Sequence, residues 1–391
     1  FSREGDKVVE FDIDVAEAIG LGKVQIIAKS GKEVATYDFE LDIKPANPSV
    51  SEITSAAVEA KQSWSTVFEP VGMKGTNKAV VEVSKIPSIN LEKRLGYLIR
   101  YPHGCIEQTT SGVFPQLFLN NLLDLEASKK QEIEANIRAG INRLRTFQLT
   151  SGGLSYWPGA NDASEWGTNY AGHFMIEAQN KGYTLPSGFL SKWIKYQKKM
   201  ANSWAKKSSK NKYYSYRSDE IIQAYRLYTL ALAKKPALGA MNRMKEIKDL
   251  SVSAKWRLAA AYVLAGKEKV AENLVTNIAT SVEEYKELSY SYGSSQRDQA
   301  MILETLTAMK KKNKAQGVLK DLTKQLGSEN WYSTQTTAYS LMAIAKFIGT
   351  TGEKSDLSYD VYFKGKKVKS ISTKASIALT PLNLSGLSSG E

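Results

Sequence analysis

The sequence has 391 residues, 42% of them hydrophobic and 24% charged, with a formal net charge of +13. That size predicts two or three domains with packed cores and excludes a disordered chain. No run of about 18 apolar residues occurs, which excludes a membrane-spanning helix. One cysteine excludes an internal disulfide framework, and two histidines leave little for a zinc site, so no metal and no cofactor are expected. The opening on Phe1 rather than Met leads us to expect a piece of a longer protein. The lysines are scattered, and even the densest stretch, Lys195 to Arg217, reads as solvated helix and loop. No nucleic-acid partner is expected.

In chain order, residues 1–47 read as β. Val9, Phe11, Ile13 and Val15 alternate with charged residues, as do Val24, Ile26 and Ala28 with their neighbours. A Ser30-Gly31 turn leads to Val34–Ile43. Residues 48–89 are looser, with Val67 and Val71 before Ala79–Val83. Residues 90–350 read as about a dozen helices with short connections. Asn90 is placed to cap the first, and Ser128 with Gln131 forms a capping-box pattern. Ile221, Ala224, Tyr225, Tyr228 and Leu232 make one apolar stripe. Ala254–Ala265 is stopped by Gly266. Residues 355–391 return to β, with Tyr359, Val361 and Phe363, then a Gly365 turn into Val368 and Ile371. Successive α-hairpins suit either a solenoid or a closed α/α toroid, and periodicity does not choose.

The chemistry gathers in Tyr101-Pro102-His103-Gly104-Cys105-Ile106-Glu107-Gln108-Thr109-Thr110-Ser111. Pro102 and Gly104 break the preceding helix, so Cys105 should begin the next, where free N–H groups and the helix dipole favour thiolate. Gln108 lies three residues on, on the same face. Attack of the thiolate on the Gln108 carboxamide, with loss of ammonia, would make an internal thioester: a stored acyl group for an outside nucleophile.

The string Gly104-Cys105-Ile106-Glu107-Gln108 resembles the GCxEQ motif of the α2-macroglobulin and complement thioester proteins, and the longer string is similar to the bacterial α2-macroglobulins. Gly152 to Pro158, Trp166 to Gly182, Ser295 to Ala300 and Trp331 to Ala338 extend the resemblance over roughly residues 65–350. It implies a mainly α chain. Residues 1–47 would be the C-terminal strands of a macroglobulin-like β-sandwich. Residues 48–89 and 351–391 would be two parts of a CUB-like β domain. Residues 90–350, inserted between them, would be a thioester domain, an α/α toroid of about six hairpins.

The resemblance implies a single-use, protease-trapping inhibitor rather than an enzyme. It would sit in the bacterial envelope, periplasmic and lipid-anchored through an N-terminus outside this sequence, and serve in defence. Its partners would be attacking proteases, acylated through lysine, with cell-wall synthesis enzymes as further neighbours. Cys105 would supply the sulfur and Gln108 the acyl carbon. Gly104 would permit the turn, Tyr101 would shield the thioester, and Glu107 matches the motif without an evident role. The histidine that redirects acyl transfer to hydroxyls in some complement members has no counterpart near residues 205–220, so direct attack by amines is expected. His103 reads as a loop residue and His173 as a packed helix residue. Trp157, Trp166, Trp193, Trp204, Trp256 and Trp331 read as core and hairpin anchors. No convincing pair of carboxylates for glycoside chemistry is evident. Two alternatives stand beside the trap: a non-covalent envelope module whose thioester is unformed or hydrolysed, and a hydrolase using Cys105 with His103 or His173.

Overall fold

A computed structural model describes residues 5, 7–15, 19–44, 50–67, 69–73, 75–98, 101–206, 216–285, 291–328, 330, 332–351 and 356–382. The chain divides into two compact units, Phe1–Val81 with Pro381–Glu391, and Glu82–Thr380. Trp331 and part of the Lys195–Arg217 stretch lie outside the described residues.

In the first unit, β1 (Gly20–Ser30) and β2 (Glu33–Ile43) form an antiparallel hairpin, with Val24 opposite Phe39 and Ile26 opposite Tyr37. Gly31 makes the turn with a φ of 60°, which glycine adopts without steric cost. The expected strand through Val9, Phe11, Ile13 and Val15 does not form. These residues carry no assigned strand and are more than half exposed. Alternation supplies a strand's two faces, but only a neighbouring strand satisfies its backbone. Val67 and Val71 likewise belong to no element.

The second unit is helical. Six helices form a closed inner ring: α2 (Ile106–Val113), α4 (Glu165–Asn180), α6 (Tyr216–Leu232), α8 (Val252–Leu264), α10 (Ser295–Ala308) and α12 (Thr334–Thr351). Each packs on the next, and α12 closes back on α2. Outside them lie α3 (Ala127–Arg145), α5 (Phe189–Ser203), α7 (Leu238–Lys245), α9 (Glu268–Val275) and α11 (Lys312–Leu326), each against its preceding inner helix. α1 (Leu91–Leu98) packs on α12 and α2, which makes six pairs. The α/α toroid, rather than the solenoid, is therefore the arrangement.

The two rings differ in pattern for a physical reason. Outer helices bury one stripe, as α3 does with Ile133, Ile137, Ile141 and Leu144. Inner helices are enclosed on every side. All residues of α4 from Trp166 to Ala178 are buried, and so are those of α6 from Glu220 to Ala231. The single stripe read from Ile221 to Leu232 is thus corrected to an all-round core helix. Its polar residues are paired internally: Arg226 donates to Gln197 at 3.1 Å, Gln223 at 2.6 Å and Glu165 at 3.1 Å.

Some local expectations also change. Asn90 does not cap α1 with its side chain, which instead donates to Gly327 O at 2.7 Å. The Glu82 carboxylate accepts from Leu91 N–H at 2.8 Å. Ser128 lies inside α3, whose N-cap is Glu126, so the capping box does not form there. Gly266, with a φ of 69°, follows α8 as expected. Trp166, Trp193 and Trp256 are buried and Trp204 is half-buried, but Trp157 is 52% exposed in a turn with Pro158 and Gly159.

Four further strands complete the described chain: β3 (Ala79–Ser84), β4 (Leu357–Phe363), β5 (Lys366–Thr373) and β6 (Ile377–Leu382), the last of which the sequence reading did not single out. β4 and β5 form the expected hairpin across Gly365, with a bulge between Val361 and Tyr362. β3 pairs with β6. Within the helical unit Lys85 N–H reaches Ser376 O at 2.9 Å, and Ile377 N–H reaches Leu122 O at 3.0 Å. Among the described residues no helix is long and apolar enough to cross a membrane.

Candidate functional site

Cys105 is the N-cap of α2, extended at φ −72° and ψ 175°, and is only 3% exposed. Gly104 precedes it at φ 80°, in the left-handed region. That turn folds the Gln108 side chain back over the start of the helix. Cys105 N–H donates to Gln108 Oε1 at 3.2 Å, while the Cys105 side chain faces the Gln108 N–H, a capping box with sulfur in the place of a hydroxyl. A Cβ on Gly104 would collide with the Gln108 carboxamide. The carboxamide oxygen thus lies at the Cys105 backbone, at the helix start, and Gln108 is exposed to solvent.

The surrounding residues hold that start in place. Arg143 of α3 donates to Gly104 O at 2.7 Å and to Thr109 Oγ1 at 3.1 Å. Thr109 Oγ1 donates to His103 O at 3.2 Å, so His103 contributes its backbone while its side chain is exposed. Glu107 is buried. Its carboxylate accepts from Ser111 at 2.7 Å and from Thr334 at 3.0 Å, which ties α2 to the first turn of α12. Burial pushes the Glu107 carboxyl above its ordinary range, and the two hydroxyls oppose that. Tyr101 is 71% exposed.

The sequence reading missed Tyr156 and Tyr292. Tyr156, from the loop before α4, accepts the Ile106 N–H at its carbonyl at 3.1 Å. Its ring stacks on Tyr292 with centroids 5.6 Å apart and planes 15° apart. The signal that could have found Tyr156 is its place in the Gly152 to Pro158 string.

His173 lies in the interior of the ring. Its Nδ1 faces the Tyr225 hydroxyl at 2.9 Å, and its Nε2 is 3.6 Å from both Glu177 and Glu304. Among the described residues neither histidine hydrogen-bonds with Cys105, the pairing that a Cys-His hydrolase requires.

Glu177 and Glu304 are a buried carboxylate pair that the sequence reading did not find. Both accept from Lys346, at 2.5 Å and 2.8 Å, and Glu304 also accepts from Arg257 at 2.8 Å, Tyr228 at 3.0 Å and Tyr339 at 2.6 Å. Donor atoms of His173, Glu177 and Glu304 lie within 4.8 Å of one another, the spacing of a metal site. The Lys346 ammonium already bonds both carboxylates, so the chain's own cation serves them. Burial holds His173 below its usual range and neutral, although the two carboxylates pull the other way. Despite their burial, Lys346 and the other cations hold Glu177 down to about 2 and Glu304 well below the carboxylate range.

Residues 79–206 match the family model of the A-macroglobulin TED domain. The chain is 26% identical over 344 residues to the alpha-2-macroglobulin of Escherichia coli, covering 81% of this chain and 20% of that protein. It is 23% identical over 324 residues to the alpha-2-macroglobulin of Xylella fastidiosa, covering 78% and 19%. The chain therefore spans about a fifth of the length of the curated relatives it matches. Among solved structures, native Escherichia coli alpha-2-macroglobulin superposes with a TM-score of 0.70 at 23% identity, covering 94% of this chain and 24% of that one. Salmonella alpha-2-macroglobulin reacted with methylamine gives 0.69 at 23% identity, with the same coverage. In sequence this chain is similar to the bacterial alpha-2-macroglobulins, its residues 79–206 match the TED-domain model, and its fold is theirs.

Proposed function

We propose that Cys105 and Gln108 form an internal thioester and that this chain is the warhead of a single-use protease trap. The observation that carries the reading is the Gln108 carboxamide folded onto Cys105, its oxygen held by the Cys105 N–H at 3.2 Å. That hydrogen bond polarises the carbonyl and faces the oxygen on which charge develops during attack. In the forming step a C–S bond is made, the amide C–N bond breaks, and ammonia departs with the thiol proton. In the transfer step an amine attacks the same carbon, a C–N bond forms, the C–S bond breaks, and Cys105 is released as a thiol.

The amine in this reading is a lysine of an attacking protease, and the setting is the bacterial envelope. Structures entitled as Escherichia coli alpha-2-macroglobulin activated by porcine elastase and by trypsin support the choice of a protease as target. Residues 1–47 are assigned to a macroglobulin-like domain, and residues 48–89 and 351–391 to a CUB-like domain around the toroid at 90–350.

The test is the intact mass of fresh protein before and after methylamine, with a thiol assay alongside. The expected result is a mass one ammonia below the sequence value, then one methylamine adduct and one new thiol. A full sequence mass, a free thiol from the start and no adduct would mean that the chain acts without covalent chemistry, the reading that the exposure of Gln108 to water favours as second.

Gly104→Ala tests the geometry. The substitution forces Cβ into the Gln108 carboxamide and strains a φ of 80°. The strain alone costs about 1 kcal/mol, so the fold should survive. The carboxamide should move off the sulfur, and the thioester-bearing fraction in the mass spectrum should fall by roughly tenfold, the equivalent of about 1.4 kcal/mol. An unchanged fraction would show that Gly104 is dispensable for closure.

A further inference from the structure

Arg143 reaches the start of α2 from the last turn of α3, 39 residues further along the chain. A cation is favourable at that end of a helix, but the helix alone does not direct it to another element's backbone. Here the guanidinium lies 5.7 Å from the Phe147 ring centroid, and two of its N–H groups are fixed. Nη2 donates to Gly104 O at 2.7 Å, within the range of a charge-assisted bond, and Nε donates to Thr109 Oγ1 at 3.1 Å. Thr109 is fully buried and donates in turn to His103 O at 3.2 Å. Among the described residues the Arg143 bonds run to these neutral oxygens and not to a carboxylate, so its charge is not cancelled by an ion pair.

Gly104 O and the Cys105 N–H belong to one peptide unit. Its oxygen accepts from the Arg143 cation, and its N–H donates to Gln108 Oε1 at 3.2 Å. Peptide resonance couples the two ends. A cation at the oxygen draws electron density from the nitrogen and makes the N–H a stronger donor, as in any chain of hydrogen bonds. The neighbouring amides are engaged elsewhere: Ile106 N–H with Tyr156 O, and Gln108 N–H facing the Cys105 side chain. The charge of Arg143 therefore acts on the Gln108 oxygen through the Cys105 N–H.

Resting on the thioester reading above, we propose that Arg143 is a positioning residue for acyl transfer. It holds the Gly104 turn at its φ of 80° and polarises the Gly104–Cys105 peptide, so that the Cys105 N–H stabilises charge on the Gln108 oxygen. As an amine nitrogen bonds the Gln108 carbonyl carbon, the C=O electron pair moves onto Oε1, where the Cys105 N–H meets it. When that pair returns, the C–S bond breaks and its electrons go to sulfur. The surplus proton of the amine passes through water to the sulfur, which leaves as a thiol. Arg143 keeps its protons throughout. A direct oxyanion donor contributes about 10²- to 10³-fold, and polarisation by a neighbour adds roughly a tenth to a third of a bond, so about twofold to tenfold in rate is expected.

The experiment uses the chain with its glutamines carbon-13 labelled at the side-chain carbonyl. The protein is weighed intact and then timed for thiol release by methylamine and by water. A thioester carbonyl resonates well downfield of amide carbonyls, so Gln108 is read by itself. Arg143→Met should still emerge one ammonia light, with that resonance moved upfield and with both nucleophiles about twofold to tenfold slower. Both slow together because the donor acts on the carbonyl, whereas mere loosening of the site would uncover the acyl group and hasten water. Arg143→Lys keeps a cation within reach of Gly104 O and should restore most of the rate and of the shift. An unmodified chain at full sequence mass would overturn the thioester and this proposal together. In an ammonia-light Arg143→Met, original rates, faster hydrolysis or an unmoved resonance each overturn the Arg143 role alone, and so does a failure of Arg143→Lys to restore them. Should Arg143→Met emerge without a thioester, Arg143→Lys decides: rates and resonance near the original uphold the role of the charge, and any other outcome overturns it.

Discussion

Cys105→Ala and Gln108→Ala are each expected to emerge at their full sequence masses, to take up no methylamine and to release no new thiol. The effect should be all-or-none, because each substitution removes one of the two atoms that the bond joins. Folding should be little affected. Cys105→Ala removes one small buried group, and Gln108→Ala removes one hydrogen bond to the Cys105 N–H. Each change costs about 1 kcal/mol. Circular dichroism and thermal melts of both variants should therefore overlay closely on those of the unmodified chain. Methylamine incorporation in either variant would place the acyl group elsewhere and sink the Cys105–Gln108 assignment. Incorporation lost together with the fold would point to a structural role for the pair instead.

Glu304→Gln is expected to lower the stability of the helical unit by about 3–5 kcal/mol, the scale of breaking a buried ion pair. Glu304 accepts from Arg257, Lys346, Tyr228 and Tyr339, which come from α8, α12 and α6, so one carboxylate links four inner helices. Neutralising it leaves two cations against Glu177 alone. A fall in Tm of roughly 10 °C follows for a unit of this size. An unchanged Tm would show that the ring does not depend on this network.

The pH dependence has a definite sign. Glu177 and Glu304 have folded-state pKa values below the unfolded ones, Glu177 at about 2. Their stabilisation is complete above the unfolded carboxylate range near 4.5 and is lost as pH falls toward 2. His173 is also depressed, so the unfolded chain binds its proton first, and stability starts to fall below about 6.5. All three contributions act in one direction: stability decreases with acid. Thermal melts between neutral pH and pH 3 should show this decline for the unmodified chain and a shallower one for Glu304→Gln.

What could be read in the sequence was local. The Cys105–Gln108 pair lies within one helical turn, so three-residue spacing was enough to bring the two groups together. Pro102 and Gly104 marked the helix start for the same reason. Gly266 after α8 and Gly31 in the β1–β2 turn were equally legible, because a left-handed φ is a property of one residue. The alternation from Val9 to Val15 misled, because it records faces and not partners. The stripe from Ile221 to Leu232 misled, because Gln223, Arg226 and Thr229 looked solvated yet are buried in α6. A polar residue reads as exposed until its distant partner is known, and Arg226 has its partners on α4, α5 and its own helix.

The sequence by itself thus determined the helical hairpins, the single thiol with its carboxamide, and the resemblance that those residues carry. Only the tertiary structure decided that the hairpins close, with α12 against α2, since closure is a sum of small crossing angles that no single segment encodes. It alone joined Glu177 of α4, Glu304 of α10 and Lys346 of α12 into one buried network. It alone stacked Tyr156 on Tyr292. These groups are distant in the chain, and their meeting is set by how whole helices pack rather than by the residues beside them.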